Sequence, residues 1–216
     1  MTPKRSAGRP KADPARDLRS DLLRTSRTLL DEGGAAALSV REVARRTGCT
    51  HQAPYHYFED REAILAALVA DGFDDLARRL QQANALARTK GSRAVLVASA
   101  KAYLEFALSQ PGVFRIMIRP DVCNPKRFPA VLEAAAKARA ELDQLTRICY
   151  RDKAGPAKAI ILWAHVHGLS SLLVDGPLAL PDAPAALQAD QLHALAEQLA
   201  DFALGPAKAR RAGPAV

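Results

Sequence analysis

The chain has 216 residues, enough for one large domain or two small ones with a proper core. Apolar residues make up 49%, with Ala and Leu dominant and β-branched residues sparse, which favours an all-α fold over sheet. The formal charge is +8, and the apolar runs are short and interrupted by charges, so no membrane span and no membrane partner is expected. The basic N-terminus has no apolar stretch after it and is not expected to act as a secretory signal. Cys49, Cys123 and Cys149 are widely spaced and odd in number. They imply neither a disulfide framework nor a CxxC metal site, and a cytoplasmic location is the simplest expectation.

The positive charge is concentrated at the ends. Residues 1–50 carry eleven basic and six acidic side chains, and the last twelve residues add Lys208, Arg210 and Arg211 without an acid, which leaves 51–204 neutral overall. Basic ends on a neutral body suit contact with a polyanion at the N-terminal end, although basic tails also serve solubility.

About nine helices are expected in chain order. Residues 1–13 are Pro-, Gly- and charge-rich and read as a disordered basic arm. Helix 1 runs from about Pro14 to Glu32, with Leu18, Leu22, Leu29 and Leu30 as its apolar stripe and Gly33-Gly34 ending it. Ser39 caps helix 2, with Glu42 completing a capping box, and Gly48 marks a turn. Thr50 caps a short helix 3 that ends near Phe58. Asp60 caps the long helix 4, which reaches about Ala87. Helix 5 opens at Gly91-Ser92 and closes at Ser109-Gln110, Pro111 starts helix 6, and residues 119–129 form a loop. Helix 7 covers about 129–151, helix 8 runs from Pro156 to Gly176-Pro177, and helix 9, preceded by Asp182 or Ala183, runs from Pro184 to about Leu204. The tail, 205–216, is basic and frayed. The resulting domains are a helix-turn-helix unit over 14–60 and a helical unit over 61–204.

Residues 39–62 have the layout of a helix-turn-helix, whose second helix enters the major groove of DNA. Gly48 allows the tight turn and Ala44 leaves room for the helix crossing. Val40, Val43, Cys49, Pro54 and Tyr57 fall on the inward face. Thr50, His51, Gln52, Ala53 and His56 fall on the outward face of helix 3. Gln pairs bidentately with adenine, and an Ala methyl meets the thymine methyl. Thr50, Tyr55, Tyr57 and Arg61 suit phosphate contact, and Ser39 and Arg41 at the start of helix 2 complete the candidate set. Arg61 lies in the first turn of helix 4, where the dipole disfavours a cation and a phosphate would account for it.

This stretch resembles the DNA-binding domain of the TetR family of transcriptional regulators. The resemblance covers helix 1 through the start of helix 4, and the run Tyr55-His56-Tyr57-Phe58-Glu59-Asp60-Arg61-Glu62 is its most specific part. The family has a small residue where Gln52 stands and usually Leu where Pro54 stands, so the base contacts of this chain are its own. Gly8-Arg9-Pro10-Lys11 resembles an AT-hook-like arm. Arg9 and Lys11 either touch a minor groove or belong to an unstructured leader.

Trp163-Ala164-His165-Val166-His167-Gly168 is similar to the Trp-x-x-x-His-Gly signature of one C-terminal subclass of the same family. Tyr103 to Ala107, Pro111 and Phe114 to Met117 resemble that subclass too. The resemblance implies an all-helical domain that binds a small-molecule effector and forms a homodimer through helices 8 and 9 as a four-helix bundle. Helix 8 is apolar almost all round between Ala159 and Val174, which suits burial against its own domain on one face and a second subunit on the other.

Trp163, His167 and Ser171 recur at i, i+4, i+8 and share a face. His165 lies about 200° round from His167 on an ideal helix, so the two cannot hold one metal. On helix 5, Ser99, Tyr103 and Phe106 form a matching aromatic face, followed by Phe114 and Met117 on helix 6. These residues suit an apolar pocket with a few polar tips, and aromatic stripes at helical spacing equally suit plain core. Cys123 sits in the 119–129 loop beside Arg119, Lys126 and Arg127. Neighbouring cations would lower its pKa and make it an oxidant sensor, with an unreactive loop cysteine as the other reading.

The leading expectation is a ligand-responsive DNA-binding regulator, most often a repressor in the resembled family, released from a palindromic operator by a small apolar or amphipathic effector. A thiol-sensing regulator, a purely architectural DNA binder and a helical enzyme are the alternatives. No acid–base pair at recognisable spacing, Gly-rich phosphate loop or metal-ligand cluster supports an enzyme or a cofactor.

Overall fold

The computed structural model describes residues 17–176 and 185–206. The expected arm with Arg9 and Lys11, the Pro14 start of the first helix, the Asp182 to Pro184 start of the last one and the tail from Ala207 onward lie outside the described residues.

Eight α-helices and three short 3-10 segments make up the regular structure of the described residues. The helices are α1 (Leu18–Ala37), α2 (Val40–Thr47), α3 (Arg61–Ala87), α4 (Ser92–Ser109), α5 (Pro111–Ile116), α6 (Pro129–Tyr150), α7 (Pro156–Val174) and α8 (Ala185–Leu204). Predicted helices 4 to 9 are therefore α3 to α8. Predicted helix 3 is the exception, because the segment Ala53–His56 is a 3-10 turn.

Local chemistry sets the boundaries. The Asp17 carboxylate accepts from Ser20 N–H at 3.2 Å and caps α1. The backbone of α1 leaves helical geometry at Gly33 and Gly34, where the sequence expectation ended it, before one further turn to Ala37. Ser39 Oγ accepts from Glu42 N–H at 3.2 Å. The other half of the expected capping box does not form, because the Glu42 carboxylate is taken by Arg45 and Arg46. Gly48 closes α2 in the left-handed region at φ 72, donating to Ala44 and Arg45 carbonyls.

The long α3 packs along α6 and α4, and α4 in turn carries α7 and α8 on its far side. Leu65, Leu68, Leu96, Leu104 and Phe106 are fully buried in this layer. Truncating such a residue as Phe106 to Ala would cost about 3–5 kcal/mol. The short α5 lies across α1 and α3, so it touches both the N-terminal helices and the larger bundle.

Candidate nucleic-acid interface and ligand cavity

The turn of the helix-turn-helix is built from Gly48 and Cys49, whose N–H donates to Ala44 O at 3.1 Å. The following segment would begin an α-helix if residue 54 could donate to Thr50 O. Pro54 has no N–H, and Ala53 donates to that carbonyl instead at 3.0 Å, an i to i−3 bond that winds the segment as a 3-10 helix. Pro54 and Phe58 are buried and anchor the segment. Thr50, His51, Gln52, Tyr55, His56 and Tyr57 are exposed, Ala53 is half-buried, and the His51 and Tyr55 rings stack with centroids 6.1 Å apart. Tyr57 was expected on the inward face. The tighter winding turns it outward, where it is 46% exposed. At the start of α2, Ser39 and Arg41 are exposed.

Arg61 has partners of its own. Its Nε donates to Leu38 O at 2.7 Å and its Nη2 to Ala35 O, so the guanidinium satisfies carbonyls at the C-terminal end of α1. Its place in the first turn of α3 needs no phosphate to account for it.

Helices α3 to α8 surround a cavity of about 260 Å³, close to the lower end of the range for small-molecule sites. Leu76, Leu80 and Leu142 are among its apolar lining, and Phe73, Tyr103, Phe106, Phe114 and Trp163 supply aromatic rings. Apart from Arg139, its polar groups form two clusters that hang from consecutive turns of α4. In the first, Ser99 Oγ donates to Asn84 Oδ1, and Asn84 Nδ2 donates to Glu141 Oε2 at 3.0 Å. In the second, Trp163 Nε1 donates to Tyr103 Oη at 3.2 Å, and Tyr103 Oη lies 3.0 Å from His167 Nδ1.

Chemistry fixes one direction in the second cluster. Indole N–H is only a donor, so the Tyr103 oxygen accepts from it. Burial pushes the Tyr103 hydroxyl up to about 12, so it keeps its proton, and it shares a hydrogen bond with His167 Nδ1. Burial also pushes the His167 imidazole below its usual value.

Two contacts join the cavity wall to the N-terminal helices. Phe114 of α5 and Met117 just after it line the cavity, and at the other end of α5 the Gly112 N–H donates to Asp31 Oδ1 of α1 at 2.8 Å. In the loop after α5, Arg127 pairs with Glu59, Asp60 and Glu62 at the start of α3, at 3.1, 2.7 and 2.6 Å.

Sequence profiles of two known families match the chain: the bacterial regulatory proteins of the tetR family over residues 22–68, and the tetracyclin repressor-like C-terminal domain over residues 96–204. The chain belongs to the TetR family. That family is one of bacterial regulatory proteins. An HTH-type transcriptional regulator of Mycobacterium tuberculosis is 27% identical over 105 residues, a match that spans 49% of this chain and 45% of that relative. The chain thus covers less than half the length of the curated relatives it matches. A Rhodococcus sp. RHA1 protein of known structure is 27% identical, with a TM-score of 0.67, covering 92% of this chain and all of that one. The Bacillus subtilis regulator FadR in complex with stearoyl-CoA has a TM-score of 0.67 at 12% identity, covering 88% of this chain and 100% of that one. At that identity the likeness concerns the fold alone.

Within this TetR-family chain, Tyr103, Phe106, Phe114, Met117, Trp163 and His167 line the cavity. Ser171 does not, and its hydroxyl donates back to His167 O at 3.0 Å. Cys123 is not part of the lining either. It is 5% exposed, and burial followed by the nearby Glu62 charge raises its pKa. Two of the three cations expected to lower it are engaged by acids, Arg119 by Asp121 and Arg127 by Glu59, Asp60 and Glu62. Asn84 and Glu141 were missed. Asn84 continues the Leu76-Leu80 stripe at i+4 spacing, and a polar residue on that stripe is the signal that could have found it. His165 turns away from His167, its Nδ1 2.7 Å from Ile161 O and its ring 4.5 Å from that of Phe202. No group of three metal-ligating side chains occurs among the described residues.

The helix α7 corrects one expectation. By length and composition it is apolar enough to cross a membrane, with a mean hydropathy of 1.4, although only 22% of that window is buried. Lys158 is its one charged side chain between Pro156 and Val174. Ala159, Leu162, Val166, Ser170 and Leu173 face the body of the protein, while Ile160, Ile161 and Leu172 are exposed on the other side, as is Phe202 on α8.

Proposed function

We propose that this chain is a ligand-governed regulator. A homodimer binds a palindromic operator through the segment Thr50 to Tyr57, and a small apolar or amphipathic effector in the cavity releases it. The cavity carries this reading, because its aromatic wall includes α5, which is hydrogen-bonded to α1 of the helix-turn-helix. The exposed apolar side of α7 and α8 supports dimerisation, since a second copy would cover Ile160, Ile161, Leu172 and Phe202. His51 and Gln52 are the base-reading residues, with Ser39, Arg41, Thr50, Tyr55 and Tyr57 on phosphates. The N-terminal unit to residue 60 reads DNA, and the unit from Arg61 onward binds effector and partner. A ligand that prefers the spacing of the free dimer lowers DNA affinity by population shift, with α3 as the lever. Repression in a bacterial cytoplasm is the physiological setting that suits this behaviour.

Sedimentation equilibrium tests the assembly, with a dimer expected and Ile161→Glu giving monomer. A parent that sediments as a monomer would contradict it. Release is tested by titrating operator-bound protein with a binding ligand. Trp163→Ala and Tyr103→Ala are each expected to blunt release, and unaltered release in both would refute the cavity as effector site.

A further inference from the structure

The cavity wall carries one acid that the fold does not neutralise. Glu141 is half-buried, lines the cavity, and makes no ion pair among the described residues. A single side-chain donor reaches its carboxylate. Asn84 is 2% exposed, and its amide orientation is set by Ser99, which donates to Asn84 Oδ1 and leaves Nδ2 for Glu141 Oε2. The other oxygen, Oε1, accepts from no donor among the described residues, which leaves it open to a ligand. Arg139 also lines the cavity, but its Nε donates to Asp143 at 3.1 Å.

The rest of the wall favours the same kind of ligand. The rings of Trp163, Tyr103, Phe114 and Phe73 surround the space, and aromatic faces attract cations. At the second polar cluster, burial disfavours the charged form of the His167 imidazole, whose Nδ1 is already taken by Tyr103. Among the described lining residues the one permanent cation, Arg139, is paired with Asp143, and Glu141 repels a carboxylate.

We infer that the effector is a lipophilic cation: an apolar molecule with a protonated amine that donates to Glu141 while its hydrocarbon lies against the aromatic wall. This rests on the cavity being the effector site, and names the ligand charge that site selects.

Three probes of one chain length separate the possibilities: octylamine, octanol and octanoate, titrated into the full-length protein at neutral pH. Trp163 is the only tryptophan of the chain and lies in the cavity wall, so its fluorescence reports occupancy directly. Octylamine is expected to bind about ten-fold or more tighter than octanol, with octanoate weakest. Glu141→Gln is expected to bring octylamine down to about the affinity of octanol while leaving octanol unchanged. The new amide oxygen can still accept from Asn84, so the fold is retained, which far-UV circular dichroism verifies. Octanol or octanoate binding as tightly as octylamine, or octylamine binding unaltered in Glu141→Gln, would overturn the charge assignment while leaving an occupied effector cavity. No fluorescence response to any of the three would overturn the assignment together with the effector-site reading.

Discussion

Replacing Gly112 with alanine tests the contact between α5 and the helix-turn-helix. A Cβ there would lie 2.6 Å from the Leu30 carbonyl carbon and 2.7 Å from both Asp31 N and Asp31 Oδ1. Two of these three atoms belong to the backbone of α1, so no side-chain rotation relieves the clash. To recover van der Waals contact the helices must separate by roughly 1 Å, which stretches the Gly112 N–H to Asp31 hydrogen bond. Overpacking of this kind costs about 1–3 kcal/mol, and weakening the hydrogen bond adds about 1 kcal/mol. At about 2–4 °C per kcal/mol for a chain of this size, Gly112→Ala should lower Tm by about 4–16 °C. The assay is thermal unfolding followed by far-UV circular dichroism at one protein concentration, since dimerisation makes Tm concentration-dependent. Asp31→Ala serves as the comparison, because it removes the hydrogen bond without adding a clash, and should cost only about 1 kcal/mol. If Gly112→Ala melts within a degree of the parent, or no lower than Asp31→Ala, the close approach of α5 to α1 is wrong.

Further perturbations address single groups. Arg61→Ala should lower Tm through the loss of two carbonyl hydrogen bonds, worth roughly 1–2 kcal/mol, and leave the salt dependence of DNA binding unchanged; a log–log slope reduced by about one would make Arg61 a phosphate ligand after all. Hydrogen bonds from Arg45 and then Arg46 hold the Glu42 carboxyl down to about 2, against an ordinary 4.5. Because the folded value is the lower one, this contribution is complete above about pH 4.5 and disappears as pH falls through about 2. Acid unfolding of Glu42→Gln should therefore converge with that of the parent across this window, and a constant gap between the two curves would contradict it. Asp60 and Glu62 are lowered too, first by the Ala63 and Asn124 N–H groups respectively and then by Arg127, so their contributions are lost in the same direction. Cys123→Ser should leave the oxidant response of DNA binding as it is in the parent, since burial and Glu62 raise that thiol; a response abolished by the substitution would restore the sensor.

Helix positions were legible because their signals are local. Ser39, Gly48, Asp60 and Pro111 each mark a helix end through a side chain or ring that acts within a few residues. The tight winding at Ala53–His56 was not read, although Pro54 lacks the N–H that an α-helix would give to Thr50 O. The aromatic part of the cavity could be read from the spacing of Tyr103 and Phe106 and of Trp163 and His167, because residues one turn apart share a helix face. Glu141 could not, since its role depends on α6 lying against α3 and on Asn84 being locked by Ser99. Cys123 was misread for a related reason. Sequence neighbours placed three cations beside it, but the fold sends Arg119 and Arg127 to acids and brings Glu62 to the thiol.

The most direct test of a ligand-governed DNA reader is fluorescence anisotropy on the DNA upstream of the protein's own gene, against a scrambled duplex of equal length and composition, at fixed salt. The parent should prefer the upstream duplex, the joint substitution of His51→Ala and Gln52→Ala should abolish that preference while leaving salt-dependent non-specific binding, and a bound effector should weaken the specific complex. A preference unchanged by the double substitution would contradict the assignment of the Thr50 to Tyr57 segment as the sequence reader.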